Sequence, residues 1–246
     1  MFSWIWSLTF IVLLLQFQSG YSQYWTMSSA GASCGLKRLI RIDVTSDTIC
    51  PWCFVGKKRL DKAMEETKDL YNFEVRWHPY MLDPSLPKEG RDKNEFHRRK
   101  FGSRLQAVVD NIDQAFQSVG YRFGSGGLIG NSLDSHRLIE LAGRQGLDKQ
   151  NAVVENLMIK CLTQQKCVSD REVLLSAAES AGIEGAKEWI DDPNAGVKEV
   201  QANMEKYAHA ISGVPHFKIN DKYEMSGAQA PQTFIEIFKQ ASQDEE

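Results

Sequence analysis

The residues with the clearest chemistry are Cys50 and Cys53, separated by Pro51 and Trp52. Residues 38–47 alternate in polarity and read as a strand, and residues 55–67 read as a helix with Val55, Leu60 and Met64 as apolar contacts. The CPWC tetrapeptide therefore sits where a strand turns into a helix. Thiols at this spacing lie one turn apart and can close a small disulfide ring. The first stands at the helix N-terminus, where unpaired N–H groups and the positive end of the dipole favour a thiolate. That is the equipment of thiol–disulfide exchange. A structural zinc site would want a second such pair; the chain has none, and Cys161 and Cys167, with five residues between them, are poorly spaced for a zinc hook. A pair of inert buried cysteines is the plainer alternative. Pro51 argues against it, because proline suits the first turn of a helix. Lys57 and Lys58 lie a turn further on and would favour the Cys50 thiolate only weakly.

The elements that must hold this pair follow from periodicity. A second strand is expected at 71–78, then a linker at 79–90 with three prolines. Residues 94–119 carry Phe101, Leu105, Val108, Ile112, Phe116 and Val119 at helical spacing and predict one long helix. A glycine-rich loop at 120–130 precedes helices at 133–144, 149–163, 170–181, 184–190 and 194–210. Ser169 and either Asn131 or Ser132 are the expected N-caps. Strand character returns only near the end, as a tight hairpin of 216–220 and 223–225 turning at 220–222, before a last helix at 231–242. A helical block this long cannot be a loop; it reads as an inserted subdomain with its own small core. Of the histidines, His78, His97 and His209 read as surface residues.

With 246 residues, a net charge of −3 and five cysteines, the composition is that of an ordinary globular protein. No basic excess points to nucleic acid, and the cysteines are too few to build a disulfide scaffold. Residues 2–17 are uncharged and mostly apolar, short for a membrane span and followed by small and polar residues. They read as a secretory signal peptide cleaved near 20–23, although no Lys or Arg precedes the apolar run. The competing reading makes residues 1–26 an upstream extension and Met27 the start of a cytoplasmic protein. The chain has no Asn-X-Ser/Thr sequon, which leans away from a glycosylated extracellular life. Residues 28–35 read as a lead-in in which Cys34 is an incidental thiol.

Five segments together resemble one family: DVTSDTICPWCFVGKKRL at 43–60, GNSLDSHRLIELA at 130–142, SDREVL at 169–174, GVPHFKIN at 213–220 and SGAQAPQTF at 226–234. They resemble the DsbA-like thioredoxin-fold oxidoreductases of the FrnE type, within the superfamily of 2-hydroxychromene-2-carboxylate isomerase and kappa glutathione transferase. The resemblance covers roughly residues 39–240. It implies an α/β fold: a thioredoxin-like domain of residues 36–90 and 207–246, with residues 91–206 as an all-helical insertion. It further implies a cis bond between Val214 and Pro215 facing the CXXC, which leaves Val214 backbone groups free to pair with an extended substrate. From the residues alone, an ordinary trans proline at the start of a strand is the favoured reading; the resemblance is what points to cis. His216, where relatives often carry a small polar residue, could reach Cys50 or face solvent. Asn131 and His136 could contact substrate or glutathione, or serve as a helix cap and a packed side chain. Cys161 and Cys167 could form a second redox pair, provided the helix ends between them near Gln164–Lys166. Ser226–Gln229 reads first as a turn and cap, and second as an anion site.

The expected activity is thiol–disulfide exchange, with Cys50 attacking and Cys53 resolving, on protein or small-molecule disulfides, with disulfide- or thiol-bearing proteins as the expected partners. No bound cofactor or metal is expected; glutathione is a candidate co-substrate. Two alternatives stand beside it. A kappa-type glutathione-dependent transferase or isomerase would carry serine at position 50 and lack the resolving cysteine. A redox-inactive chaperone or metal-binding module would not use the pair at all.

Overall fold

The computed structural model describes residues 37–244. The signal-peptide and Met27 readings, and Cys34, fall outside the described residues. A four-stranded sheet runs in the order β2 (Tyr71–Pro79), β1 (Arg38–Ser46), β5 (His216–Ile219), β6 (Tyr223–Ser226). β1 and β2 are parallel, joined by α1 (Pro51–Thr67). A helical crossover is what a parallel pair requires. β5 runs antiparallel to β1 and forms a hairpin with β6, turning at Asn220 and Asp221 with φ of 46° and 56°. Both central residues at positive φ match the twist of the flanking strands, and Asn and Asp tolerate it. Alternation in β1 divides the sheet. Ile40, Ile42 and Val44 are buried on one face with Phe217, beneath α1 and α9 (Pro231–Gln243). Asp43 and Thr45 lie on the other, where Thr45 is buried and donates to the Tyr207 carbonyl.

Between β2 and β5 lie the helices that the sequence led us to expect, with one exception. The single helix predicted for 94–119 is two: α2 (Lys93–Phe101) and α3 (Leu105–Gln117), separated by a 3₁₀ turn at Gly102–Arg104. Gly102 adopts φ 55°, and its N–H caps the Arg98 carbonyl, so α2 ends there. Strand structure also appears earlier than expected. Two-residue strands β3 (Arg91–Asp92) and β4 (Leu128–Ile129) pair where the linker and the glycine-rich loop meet, too short to show any periodicity. The remaining helices are α4 (Leu133–Gln145), α5 (Leu147–Leu162), α6 (Arg171–Ser180), α7 (Ala186–Asp191) and α8 (Val197–Ala208). Asp170, not Ser169, caps α6, accepting from the N–H groups of Glu172 and Val173.

The helical block does not keep a separate core. The buried apolar residues form one cluster running from the sheet through Leu157, Met158 and Leu174. α5 is the reason, since it packs on α4 and α6 and also on β2 and α1. Two polar devices fix it there. The Gln150 side chain accepts from the Trp77 N–H at 3.0 Å and donates to the Trp77 carbonyl at 3.2 Å, satisfying the edge of β2 at that residue as a further strand would. Lys57, fully buried on α1, is paired with Asp61 at 2.9 Å and with Glu155 of α5 at 3.1 Å; Glu155 also binds Lys58. The two lysines are thus committed to carboxylates rather than to the Cys50 thiolate.

Burial opposes the charge on Glu155, but Lys57 and Lys58 outweigh it and hold the carboxyl below its ordinary 4.5. Glu155→Ala leaves the buried ammonium with Asp61 alone. We expect it to cost about 2 kcal/mol in urea unfolding at neutral pH, less than for a fully buried pair because Glu155 is partly solvated. The contribution is complete above the ordinary carboxylate value and is lost as pH falls through the lowered one, so wild type and variant should converge in acid.

Candidate active site

Cys50 is the N-cap of α1, with extended backbone (φ −86°, ψ 116°) and no side-chain capping bond. Its N–H donates to the Asp47 carbonyl at 3.1 Å, and its own carbonyl accepts the first helical bonds from Cys53 and Phe54. The side chain is thereby left at the positive end of the helix. The thiol is 3.8 Å from the Val214 carbonyl. Cys50 is 4% exposed and Cys53 fully buried; both are free thiols here. Burial first, then the hydrogen bond to and charge of Cys50, push the Cys53 thiol well above its ordinary value; a backbone hydrogen bond from Asp47 works against this. A buried thiol that holds its proton is a poor opening nucleophile.

The Val214–Pro215 bond is cis. Pro215 lies directly against α1 because position 56 is glycine: a Cβ there would come within 2.9 Å of Pro215 Cγ and 3.2 Å of Phe217 Cζ. The Pro215 carbonyl accepts the Gly227 N–H at 2.8 Å, and Arg59 of α1 donates to the Ala228 carbonyl at 2.6 Å. Residues 226–230 therefore serve as a turn tied to α1, with Gln229 donating to the Ser226 carbonyl and Pro231 opening α9. Val214 precedes β5 and takes no part in its ladder, so an extended chain has backbone to pair with beside Cys50.

The other singled-out residues separate from this centre. His216 pairs in register with Thr45 and looks onto the outer face of the sheet, its Nε2 3.6 Å from Glu224. It lines a polar cleft of about 550 Å³ with Asp43, Lys206, Tyr207 and Lys218. Asn131 accepts from the Leu133 N–H, turning the chain into α4, whose N-cap is Ser132 with no side-chain capping bond, and donates to the Pro84 carbonyl, holding the linker. His136 is buried, 2.9 Å from the Tyr80 carbonyl and 3.6 Å from Asp47. α5 ends at Leu162, between Cys161 and Cys167. Burial, against the charge of nearby Lys93, pushes Cys161 up to about 11, while Cys167 sits 3.1 Å from the Ser169 hydroxyl. Among the described residues no cluster of three or more His, Cys, Asp or Glu could hold a metal ion, and no helix is long and apolar enough to cross a membrane.

Asp47, near the centre, escaped the sequence reading, and His78, against Asp43 on the outer side of the sheet, was misplaced by it. Asp47 is fully buried between strand and CPWC, and its carboxylate accepts from the N–H groups of Ile49 at 3.2 Å and Leu82 at 2.7 Å. It holds the linker against the β1–α1 turn. His78, expected on the surface, is buried against Asp43 at 2.6 Å and stacked on Tyr207 of α8 at 3.5 Å.

Gly56→Val should cost about 1–3 kcal/mol through overpacking against Pro215. Thermal unfolding reads the loss. A slower reaction of Cys50 with peptide disulfides, set against unchanged reaction with a small alkylating agent, would show that the Pro215 side of the cleft has moved.

The sequence model of the DSBA-like thioredoxin domain matches residues 41–239. A probable DsbA oxidoreductase of Streptomyces coelicolor has a similar structure: TM-score 0.74 and 29% identity, over 82% of this chain and 89% of that one. A 2-hydroxychromene-2-carboxylate isomerase shares the fold at TM-score 0.63 and 14% identity, over 83% of this chain and 97% of its own. The Bacillus subtilis protein YwbO, itself uncharacterized, is 24% identical over 216 residues, 84% of this chain and 98% of YwbO.

Proposed function

We propose, for a chain that belongs to the DSBA-like thioredoxin family and so to enzymes of the thiol–disulfide type, that Cys50 and Cys53 exchange disulfides with thiol- or disulfide-bearing proteins. The observation that carries this reading is the asymmetry of the pair: Cys50 at the start of α1 beside Val214, and Cys53 buried behind it and held protonated. The Cys50 thiolate attacks one sulfur of a substrate disulfide and expels the other, which takes a proton. Cys53 then gives up its proton and attacks Cys50 Sγ. The second substrate thiol leaves and an enzyme disulfide remains; two electrons have passed to the substrate. Run backwards, the same steps oxidise a substrate dithiol. Val214 would hold the substrate backbone in extended form during both attacks. Glutathione is the small thiol we propose as co-substrate for resetting the pair. The transferase alternative calls for a serine where Cys50 stands, and the buried second thiol would have no role in it.

Cys50→Ser should abolish insulin reduction and dithiol oxidation alike. Cys53→Ser should accumulate a mixed disulfide at Cys50, visible by intact-mass spectrometry as an adduct removed by excess reductant. Full turnover by the Cys50→Ser protein would sink the assignment.

A further inference from the structure

Residues 91–104 carry six Lys or Arg against two acids, in a chain whose net charge is −3. Both acids are already engaged. Asp92 caps α2 by accepting from the Glu95 N–H at 2.7 Å, and Glu95 pairs with Arg99 at 2.5 Å. Arg91, Arg98, Lys100 and Arg104 are exposed, and none has a carboxylate within ion-pair distance among the described residues. Beneath them Lys93 is 2% exposed, and among the described residues its ammonium meets only the carbonyls of Gly124 at 3.4 Å and Cys161 at 3.2 Å. The uncompensated field registers at His97: burial, then Lys93 and Lys100, push it down to about 4, so it stays neutral at physiological pH.

The carrier of these charges is an arm. α2 packs chiefly against β3, β4, the 3₁₀ turn and α3, all from its own stretch of chain. Its half-buried Phe96 and Phe101 lie under Lys100, each ring centroid 5.8 Å from the ammonium. The arm joins the redox centre through α3, whose Phe116 stacks at 5.0 Å on Phe54, the residue after Cys53.

We infer that this arm is a docking surface for an acidic polypeptide segment of the substrate, and so that the enzyme prefers acidic proteins. The inference rests on the proposed exchange activity. Arginine forks match carboxylates, and the phenyl rings offer apolar contact between them. The charges are strung along a helix and onto the following turn rather than gathered round one pocket, which suits an extended chain. Two half-buried rings on a nine-residue helix give little apolar surface for insertion into a lipid layer.

The test uses the full chain and a triple variant, Arg98→Glu, Lys100→Glu, Arg104→Glu, whose side chains are solvent-exposed and unpaired. Substrates are two peptides with the same disulfide loop, one flanked by glutamates and one by lysines, and the neutral hydroxyethyl disulfide. Wild type should turn over the acidic peptide about tenfold better in kcat/KM at low salt, with the preference vanishing at high salt. The variant should lose or invert it while hydroxyethyl disulfide turnover stays unchanged. Binding of the glutamate peptide with serines in place of cysteines, read by fluorescence anisotropy, isolates the surface from the chemistry. It should weaken about tenfold in the variant. Equal kcat/KM for both peptides, a preference surviving the variant, or vesicles of anionic lipid bound where the serine peptide is not, would each overturn the surface. Intact serine-peptide binding with no turnover of any disulfide would instead overturn the exchange reading.

Discussion

The contact between Gly56 and Pro215 is the constraint on which the rest of the site depends. The start of α1 and the start of β5 must lie within van der Waals distance, and only a residue without a Cβ permits it. Once they do, Cys50 faces Val214 and the turn after β6 can be tied back to Arg59. The cost falls on topology. β5 pairs with β1, yet the chain travels through the eight helices α1 to α8 before it returns there. Those helices must dock on the sheet for β5 to arrive in register.

Docking is achieved with buried polar groups as much as with apolar ones. Lys57 has no exposure, and its two carboxylate partners come from its own helix and from α5. Asp47 works in the same way nearer the thiols, satisfying amides on both sides of it. Such pairs cost desolvation, and a well-packed apolar substitute could match them in stability. Their geometry, however, admits few arrangements. An amide or ammonium with one set of partners fixes how far α5 and the linker stand from α1.

How much of this could be read in advance depended on the range of the interaction. β1, α1 and the terminal hairpin were legible because alternation, a proline at the first helical turn and an Asn-Asp turn are local signals. The break between α2 and α3 was not. Phe101, Leu105 and Val108 keep helical spacing across it, and a lone glycine weakens a helix without forcing an end. The functional centre divides along the same line. The thiols announce themselves by spacing, whereas the close approach of Pro215 followed from family resemblance. Asp47 was silent because its partner Leu82 lies 35 residues away. His78 was misplaced because its burial depends on Tyr207, contributed by a helix whose position no local pattern specifies.

Gln150 makes the two edges of the sheet unlike. At the β2 side its amide occupies the backbone groups of Trp77, one rung that an incoming strand would need. At the other side β6 is four residues long, with Glu224 exposed, and no described strand lies beyond it. Recruitment of foreign strands, whether in a swapped oligomer or in the first layers of a fibril, thus meets a blocked rung at one flank and a short, charged edge at the other. The glutamine that positions a helix also takes one rung of the sheet out of reach.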